Sequence, residues 1–357
     1  MRKRLIWIIG ILTIFGLAVL SSAGIVDAQK LFGQPYYYFF HQLLFGIIPG
    51  IILAYILSRI DYHIWKKLSL LILFAALLLT MLVFVPHFGY GAKGATRWLA
   101  FGPLVFQPAE LLKLSLIIYL AAWFGGRNDR LRNWSYGVMP FVIVLGFAAL
   151  LLVLQPDIGT LLVVSIIGLG MYFVAGINLK QLTGIVLAGL VLLALVIVIE
   201  PYRFDRLKAY LNPHSDPQGI SYQVNQAAIA IGSGGLFGVG FGHSTQKFGF
   251  LPEPVGDSIF AILTEELGYV GALFTIGLFL ALCFTLIQVA NNTKDEFGRL
   301  LVTGVNIWIM AQAFVNIAAI SGLAPLTGIP LPFISYGGTA MLSLYAGLGI
   351  VLNVAKA

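Results

Sequence analysis

The chain has 357 residues, 59% of them hydrophobic and only 10% charged, with a mean hydropathy of +0.95. A soluble core cannot hide that many apolar side chains, so the composition defines an integral membrane protein. The net charge of +7 would suit an acidic partner such as a lipid phosphate, but cytoplasmic loops of any membrane protein collect Lys and Arg, which accounts for most of the excess. No nucleic-acid partner is expected, and the single Cys283 excludes an intramolecular disulfide and a cysteine-cluster metal site.

Apolar runs stay continuous for about 20 residues, whereas barrel strands alternate over about 10, so the expected fold is all-α. Hydropathy places spans near residues 5–23, 38–57, 68–86, 108–124, 136–155, 158–176, 181–199, 258–290, 300–322 and 336–355, ten in all within one domain, 1–357. The basic start, apolar stretch and small residues of the first run also fit a signal peptide, but its length favours an uncleaved span. Alternate threading puts Arg2, Lys3, Arg4, Arg59, Lys66, Lys67, Arg127, Arg130, Arg132, Lys180, Lys294, Arg299 and Lys356 on one side. The short loops of the other side keep Lys30, Lys93 and Arg97. The positive-inside rule then predicts that both termini are cytoplasmic.

In the fourth span, "QPAELLKLSLIIYLAAWF", Glu110 and Lys113 stand three apart, on one helix face about a turn from its outer end. They form an internal ion pair or mark a substrate path. Residues 200–257, between the seventh and eighth spans, make the long extracytoplasmic connection. Its "SYQVNQAAIAI" carries apolar residues at near-helical spacing, so the segment is ordered, on the membrane surface or folded over the helices. Arg203, Arg206, Lys208 and Lys247 lie there against the charge rule, as a solvated face or a site for an anionic substrate. The run "GSGGLFGVGFG" lacks the Gly-Lys-Ser/Thr ending of a phosphate loop, so its glycines serve tight turns or close backbone approach.

Four carboxylates, Glu253, Asp257, Glu265 and Glu266, gather in "LPEPVGDSIFAILTEELG" at the start of the eighth span. Asp257 directly precedes a helix and is placed to cap it. Glu265 lies roughly 12 Å further along the axis, so it cannot share that cap; Glu265 and Glu266 are expected to be structural, paired with basic groups on neighbouring helices. Near the end, "APLTGIPLPFISYGGTA" has Pro325, Pro330 and Pro332 before Gly337 and Gly338, so no regular helix runs through it. Such broken backbone is tolerated where it walls a cavity, here on the outer side with Asp257.

These motifs, "KGATRWL" with "QPAELLK", "LQPDIGT", "YQVNQAAIAIGSGGLFGVGFGHSTQKFGFLPE", the Asp257 and "EELG" of the carboxylate stretch, and "TGIPLPFISYGG", resemble those of the SEDS (shape, elongation, division and sporulation) family. Its members are the RodA and FtsW type of peptidoglycan glycosyltransferase, and "PAELLK" leans towards the FtsW-like division branch. The resemblance covers nearly the whole chain. It implies ten spans and polymerisation of lipid II, a disaccharide-pentapeptide on undecaprenyl diphosphate, at the outer face of the cytoplasmic membrane. It also implies that Asp257 is the catalytic residue, although the family commonly has Thr-Asp-Phe where this chain has Gly256-Asp257-Ser258. It implies as partner a class B penicillin-binding transpeptidase, whose helix Ala311, Ala313, Ala318 and Ala319 of the ninth span would admit.

The chemistry agrees: one carboxylate base takes the proton of an acceptor hydroxyl while cations assist departure of diphosphate, with inversion at the anomeric carbon. Asp257 is the expected base, with Arg97, Lys113 and Lys247 as groups for diphosphate or sugar. Glu110 would orient Lys113 or help hold a divalent cation, Mg or Mn. The rival readings are a transporter that flips the lipid-linked precursor along the same charges, and a scaffold that only recruits a synthase.

Overall fold

The structure, a computed structural model, describes residues 1–92, 95–102, 104–125, 137–176, 178–199, 204, 210–212, 219 and 221–356. The helices are α1 (Arg2–Ala23), α2 (Ile25–Phe32), α3 (Tyr37–Leu57, with a π-turn at Leu43–Ile47), α4 (His63–Leu82), α5 (Pro108–Phe124) and α6 (Met139–Leu154). They continue as α7 (Ile158–Val174), α8 (Leu179–Ile199), α9 (Tyr222–Ser233), α10 (Ile259–Asn292), α11 (Glu296–Ile320) and α12 (Gly338–Val354). Each of the ten predicted stretches carries a helix. Among the described residues, α1, α3, α4, α8, α10 and α11 are long and apolar enough to cross a membrane, and α6, α7 and α12 are shorter apolar helices.

The centre of the bundle is α5, where Leu112, Leu116, Ile117, Leu120, Ala121 and Phe124 are fully buried. It packs between α4, α7, α11 and α12. The periphery is α8, with Leu187, Val191, Leu195 and Val198 exposed, as a lipid-facing helix must have. Close approach comes from small residues: a Cβ on Gly349 of α12 would lie 2.6 Å from the Ala54 Cα of α3. Helix α1 is built into this bundle, with Leu5, Leu12 and Ala23 fully buried and the Thr13 hydroxyl 2.6 Å from Tyr345 Oη.

Two expectations need adjustment. The fold is predominantly helical, as expected, but not purely so: β1 (Gly89–Ala92), β2 (Ala95–Phe101) and β3 (Leu104–Phe106) form an antiparallel meander before α5. Its strands are short and glycine-punctuated, and hydropathy windows sized for a span average them away. Ala311, Ala313, Ala318 and Ala319 are buried inside the bundle, so they face no partner helix; the exposed residue on that stretch of α11 is Phe314. The long connection is ordered, as expected, from α9 onward, whereas Arg203, Arg206 and Lys208 lie outside the described residues, as do Arg127, Arg130, Arg132 and Lys93.

The glycine run has a specific structural use. Helix α10 breaks at Gly268, whose φ of 68° is left-handed, and this exposes backbone groups on both sides of the break. The run supplies their partners. Val239 and Gly240 donate from their N–H groups to the carbonyls of Glu265 and Glu266 (3.0 and 3.1 Å), and Tyr269 and Val270 donate to the carbonyls of Gly235 and Leu236 (2.9 and 3.1 Å). A Cβ on Gly238 would run into the Glu266 carbonyl, so only glycine allows this backbone-to-backbone approach.

Candidate functional site

Asp257 sits half-buried at the start of α10, but it is not the N-cap residue; Ser258 is, and its hydroxyl makes no capping bond. Asp257 Oδ1 accepts from Gln223 Nε2 of α9 (3.3 Å), and Gln223 also donates to Ser258 Oγ (3.0 Å). The backbone beneath the carboxylate is clamped through three successive carbonyls. Val255 O accepts from Tyr336 N (2.9 Å), Gly256 O from Ser335 Oγ (2.7 Å) and Asp257 O from Asn316 Nδ2 (2.9 Å). The end of the proline-broken segment therefore packs against the backbone that carries Asp257. Tyr336 Oη lies 2.9 Å from His41 Nδ1.

Glu110 and Lys113 form an ion pair deep in the bundle, with Nζ 2.8 Å from Glu110 Oε1 and both side chains almost fully buried. Lys113 also donates to Gln312 Oε1 (2.8 Å) and stands 5.3 Å over the Trp308 ring. Gln312 accepts from Trp308 Nε1 (2.9 Å) and donates to Pro330 O (2.9 Å). The other oxygen of Glu110, Oε2, is buried without a hydrogen-bond partner beside a cavity of about 20 Å³ walled by Gln312, Pro330, Ser335 and Gly337, room for about one water molecule. A protein-held Mg or Mn does not fit here. Each wants six oxygen-rich ligands, this space offers one free carboxylate oxygen, and an ammonium already sits beside the carboxylate. Among the described residues no three His, Cys, Asp or Glu converge elsewhere.

Arg97 projects from β2 to the turn before α7, where Nε donates to Gln155 O (3.4 Å) and an Nη donates to Pro156 O. That turn is fixed in its own right: Asp157 accepts from Thr160 N (3.1 Å) and Oγ1 (2.9 Å) as the cap of α7.

Lys247 is the sequence candidate whose placement differs most from the expectation. All three ammonium hydrogens are used inside the protein, by Ser22 Oγ (3.0 Å), Gly242 O (2.7 Å) and Glu266 Oε1 (2.8 Å). Glu266 also accepts from Ser22 Oγ (2.7 Å), and Glu265 accepts from Thr245 N and Oγ1 (both 2.9 Å) and from Ser244 Oγ. The two glutamates thus fasten residues 244–247 to α10 and α1, which is the structural role expected of them, with the ion pair reaching a loop lysine rather than a neighbouring helix. Gln223, Gln312, Asn316 and Ser335 were not singled out in the sequence. The available signal was the stripe Trp308, Gln312, Asn316, spaced i, i+4, i+8 on one face of a largely apolar helix.

Buried ion pairs and broken backbone, enclosed by helices with lipid-facing surfaces, define a polytopic membrane protein that carries a polar site at its helix ends. The profile of the FtsW, RodA and SpoVE cell cycle proteins matches residues 3–357, and the chain belongs to this SEDS family. Among curated relatives, it is 38% identical over 343 residues to the probable peptidoglycan glycosyltransferase FtsW of Trichlorobacter lovleyi, covering 96% of this chain and 90% of that protein. It is 36% identical over 346 residues to the stage V sporulation protein E of Bacillus subtilis, covering 97% and 94%. Among solved structures, a chain of a peptidoglycan synthase complex that coordinates polymerization and crosslinking superposes with a TM-score of 0.75 at 31% identity, 96% of each chain being covered. The rod shape determining protein RodA of Thermus thermophilus superposes with a TM-score of 0.73 at 29% identity, covering 99% of this chain and 95% of that one.

Proposed function

We infer that this protein is a peptidoglycan glycosyltransferase that polymerises lipid II, with Asp257 as general base and undecaprenyl diphosphate as leaving group. The observation that carries the reading is the Asp257 site itself: a half-exposed carboxylate whose backbone is held by three carbonyl hydrogen bonds from two other segments. The named relatives and the solved synthase complex support it. In the proposed step, Asp257 takes the proton of an acceptor sugar hydroxyl as that oxygen bonds to the anomeric carbon of the donor, and the bond to diphosphate breaks. Inversion follows from direct displacement. Lys113, oriented by Glu110, supplies positive field beneath the site. Arg97 spends part of its five-donor fork on the 155–156 turn and keeps the rest for a phosphate oxygen. Lys247 acts as an anchor of the loop.

The same reading makes the chain one domain of ten spans in the cytoplasmic membrane, with 200–257 outside and both termini in the cytoplasm; the Lys/Arg distribution supports this orientation. A class B transpeptidase is the partner that would crosslink the product. The test is purified protein with labelled lipid II, resolved on a gel for glycan strands. Wild-type protein should make strands, and correctly folded Asp257→Asn should make at least ~10²-fold fewer while still binding lipid II, since that is the usual cost of losing a general base. Strand synthesis at an undiminished rate by Asp257→Asn would remove the catalytic assignment. Transfer of lipid II across vesicles without strands would favour the transporter.

A further inference from the structure

The three carbonyl bonds beneath Asp257 are not equivalent. Those from Ser335 and Tyr336 join two irregular segments, with the 335–337 stretch tied in turn to α3 through Gln42 and His41. The third, from Asn316 Nδ2 to Asp257 O, ties the carboxylate's own residue to α11, a helix of the bundle core. The same amide nitrogen donates to Ile329 O (2.8 Å). Because both partners are carbonyls, flipping the amide would set oxygen against oxygen, so its orientation is forced. That orientation leaves Asn316 Oδ1 buried with no hydrogen-bond partner. An unpaired buried oxygen is disfavoured, so the advantage of this residue lies in the two carbonyls it holds.

One turn earlier on the same face, Gln312 repeats the arrangement. It accepts from Lys113 and donates to Pro330 O, the carbonyl next to Ile329. Consecutive turns of α11 therefore grip consecutive carbonyls of the 329–330 segment, and each turn also holds one polar group of the site. Through these two residues the Glu110–Lys113 pair and Asp257 share a single rigid reference.

We propose that Asn316 is a positioning residue for Asp257, setting where that carboxylate stands relative to the Glu110–Lys113 pair through one turn of α11. The inference rests on Asp257 being the base. Its physical basis is the steep dependence of proton transfer on placement, since an error of about 1 Å costs on the order of 10²-fold in rate.

The experiment uses full-length protein in vesicles, with kcat and KM measured on labelled lipid II for Asn316→Ala, Asn316→Ser and Asn306→Ala. Asn306 is a matched control: it lies on the same helix, is 93% buried by its relative exposure of 7%, gives its amide to Cys283 O (3.4 Å) and also has an unpartnered Oδ1. Asn316→Ala should lower kcat about 10- to 100-fold with KM within about threefold, because binding groups are untouched while the base is displaced. Asn316→Ser, which retains one donor, should recover part of kcat and takes the place of the alanine variant if that one fails to fold. Asn306→Ala should lose comparable thermal stability and keep kcat. Wild-type kcat in folded Asn316→Ala (or in Asn316→Ser where the alanine variant does not fold), a change in KM alone, or an equal kcat loss in Asn306→Ala overturns the proposal. Asp257→Asn, measured in parallel, separates the two levels. If it polymerises normally, the reading of Asp257 falls and this inference with it; if it is inactive while Asn316→Ala and Asn316→Ser are normal, this inference alone falls.

Discussion

Lys247→Met, Glu266→Leu and the double variant decide whether the charge pair between the loop and α10 is a lock or part of a substrate path. Both side chains are almost fully buried, at 2% and 3% exposure, and Nζ to Oε1 is 2.8 Å. Lys247→Met leaves the Glu266 carboxylate with only Ser22 Oγ and Ser244 N, and Glu266→Leu leaves a buried ammonium with Ser22 Oγ and Gly242 O. Either single change strands a buried charge, a loss of about 3–5 kcal/mol. The double variant removes both charges and leaves the Gly242 carbonyl, the Ser244 N–H and the Ser22 hydroxyl unpaired, about 1 kcal/mol each, so it should lose about 3 kcal/mol and be at least as stable as either single. The assay is the unfolding equilibrium in mixed micelles, with polymer yield per folded molecule measured on the same samples. Singles that each cost under about 1 kcal/mol would refute the lock. A stable double variant that makes no polymer would return Lys247 to the substrate.

Gly238→Ala should abolish accumulation of folded protein, because φ is 82° there and the new Cβ meets the Glu266 carbonyl; Gly232→Ala in α9, with open space around it, should be neutral or up to about 1 kcal/mol stabilising by thermal unfolding. Glu110→Gln keeps the shape of the side chain but removes the charge opposite Lys113, so thermal stability should fall by an amount on the order of 3 kcal/mol; an unchanged midpoint would show that the ion pair does not stabilise the bundle. Arg97→Ala should raise KM for lipid II more than Arg97→Lys, and equal KM values would exclude a phosphate role for the fork. In a Cys283→Ser background, Phe237→Cys, at the most exposed large hydrophobic residue of the glycine run, should react with an impermeant thiol reagent in intact cells while Lys294→Cys is protected; the reverse pattern would invert the proposed orientation.

The helices were legible because a bilayer imposes a length and an apolar composition that one sequence displays directly. The meander of β1 to β3 was not, since its residues have to be short and mixed in character to leave the bundle and return within a few residues. The glycine run was legible as close backbone approach but not as the partner of a broken helix. Gly268 alone gives no sign that α10 stops hydrogen-bonding to itself there, and the donors and acceptors that repair it come from about 30 residues earlier in the chain.

Charge was the better guide to the site than polarity, for a physical reason. Glu110 and Lys113 stand out in an apolar helix because a charge there is costly wherever it points, so sequence context marks them without any knowledge of their partners. A neutral amide is cheaper, and Gln312 and Asn316 are as unremarked in sequence as any polar residue in a span. What distinguishes them is the identity of their acceptors, Pro330 O, Ile329 O and Asp257 O, which belong to segments that only the folded chain brings together. The same argument explains the different outcome for Lys247. Its charge drew attention correctly, but whether a cation faces a ligand or a carboxylate depends on whether its hydrogens are already engaged, and for Lys247 all three are engaged within the protein. Asp257 stands partly buried above an engaged backbone, its Oδ1 accepting from Gln223, and that partial exposure is what separates it from Glu265 and Glu266, which are buried with carboxylates held by several donors.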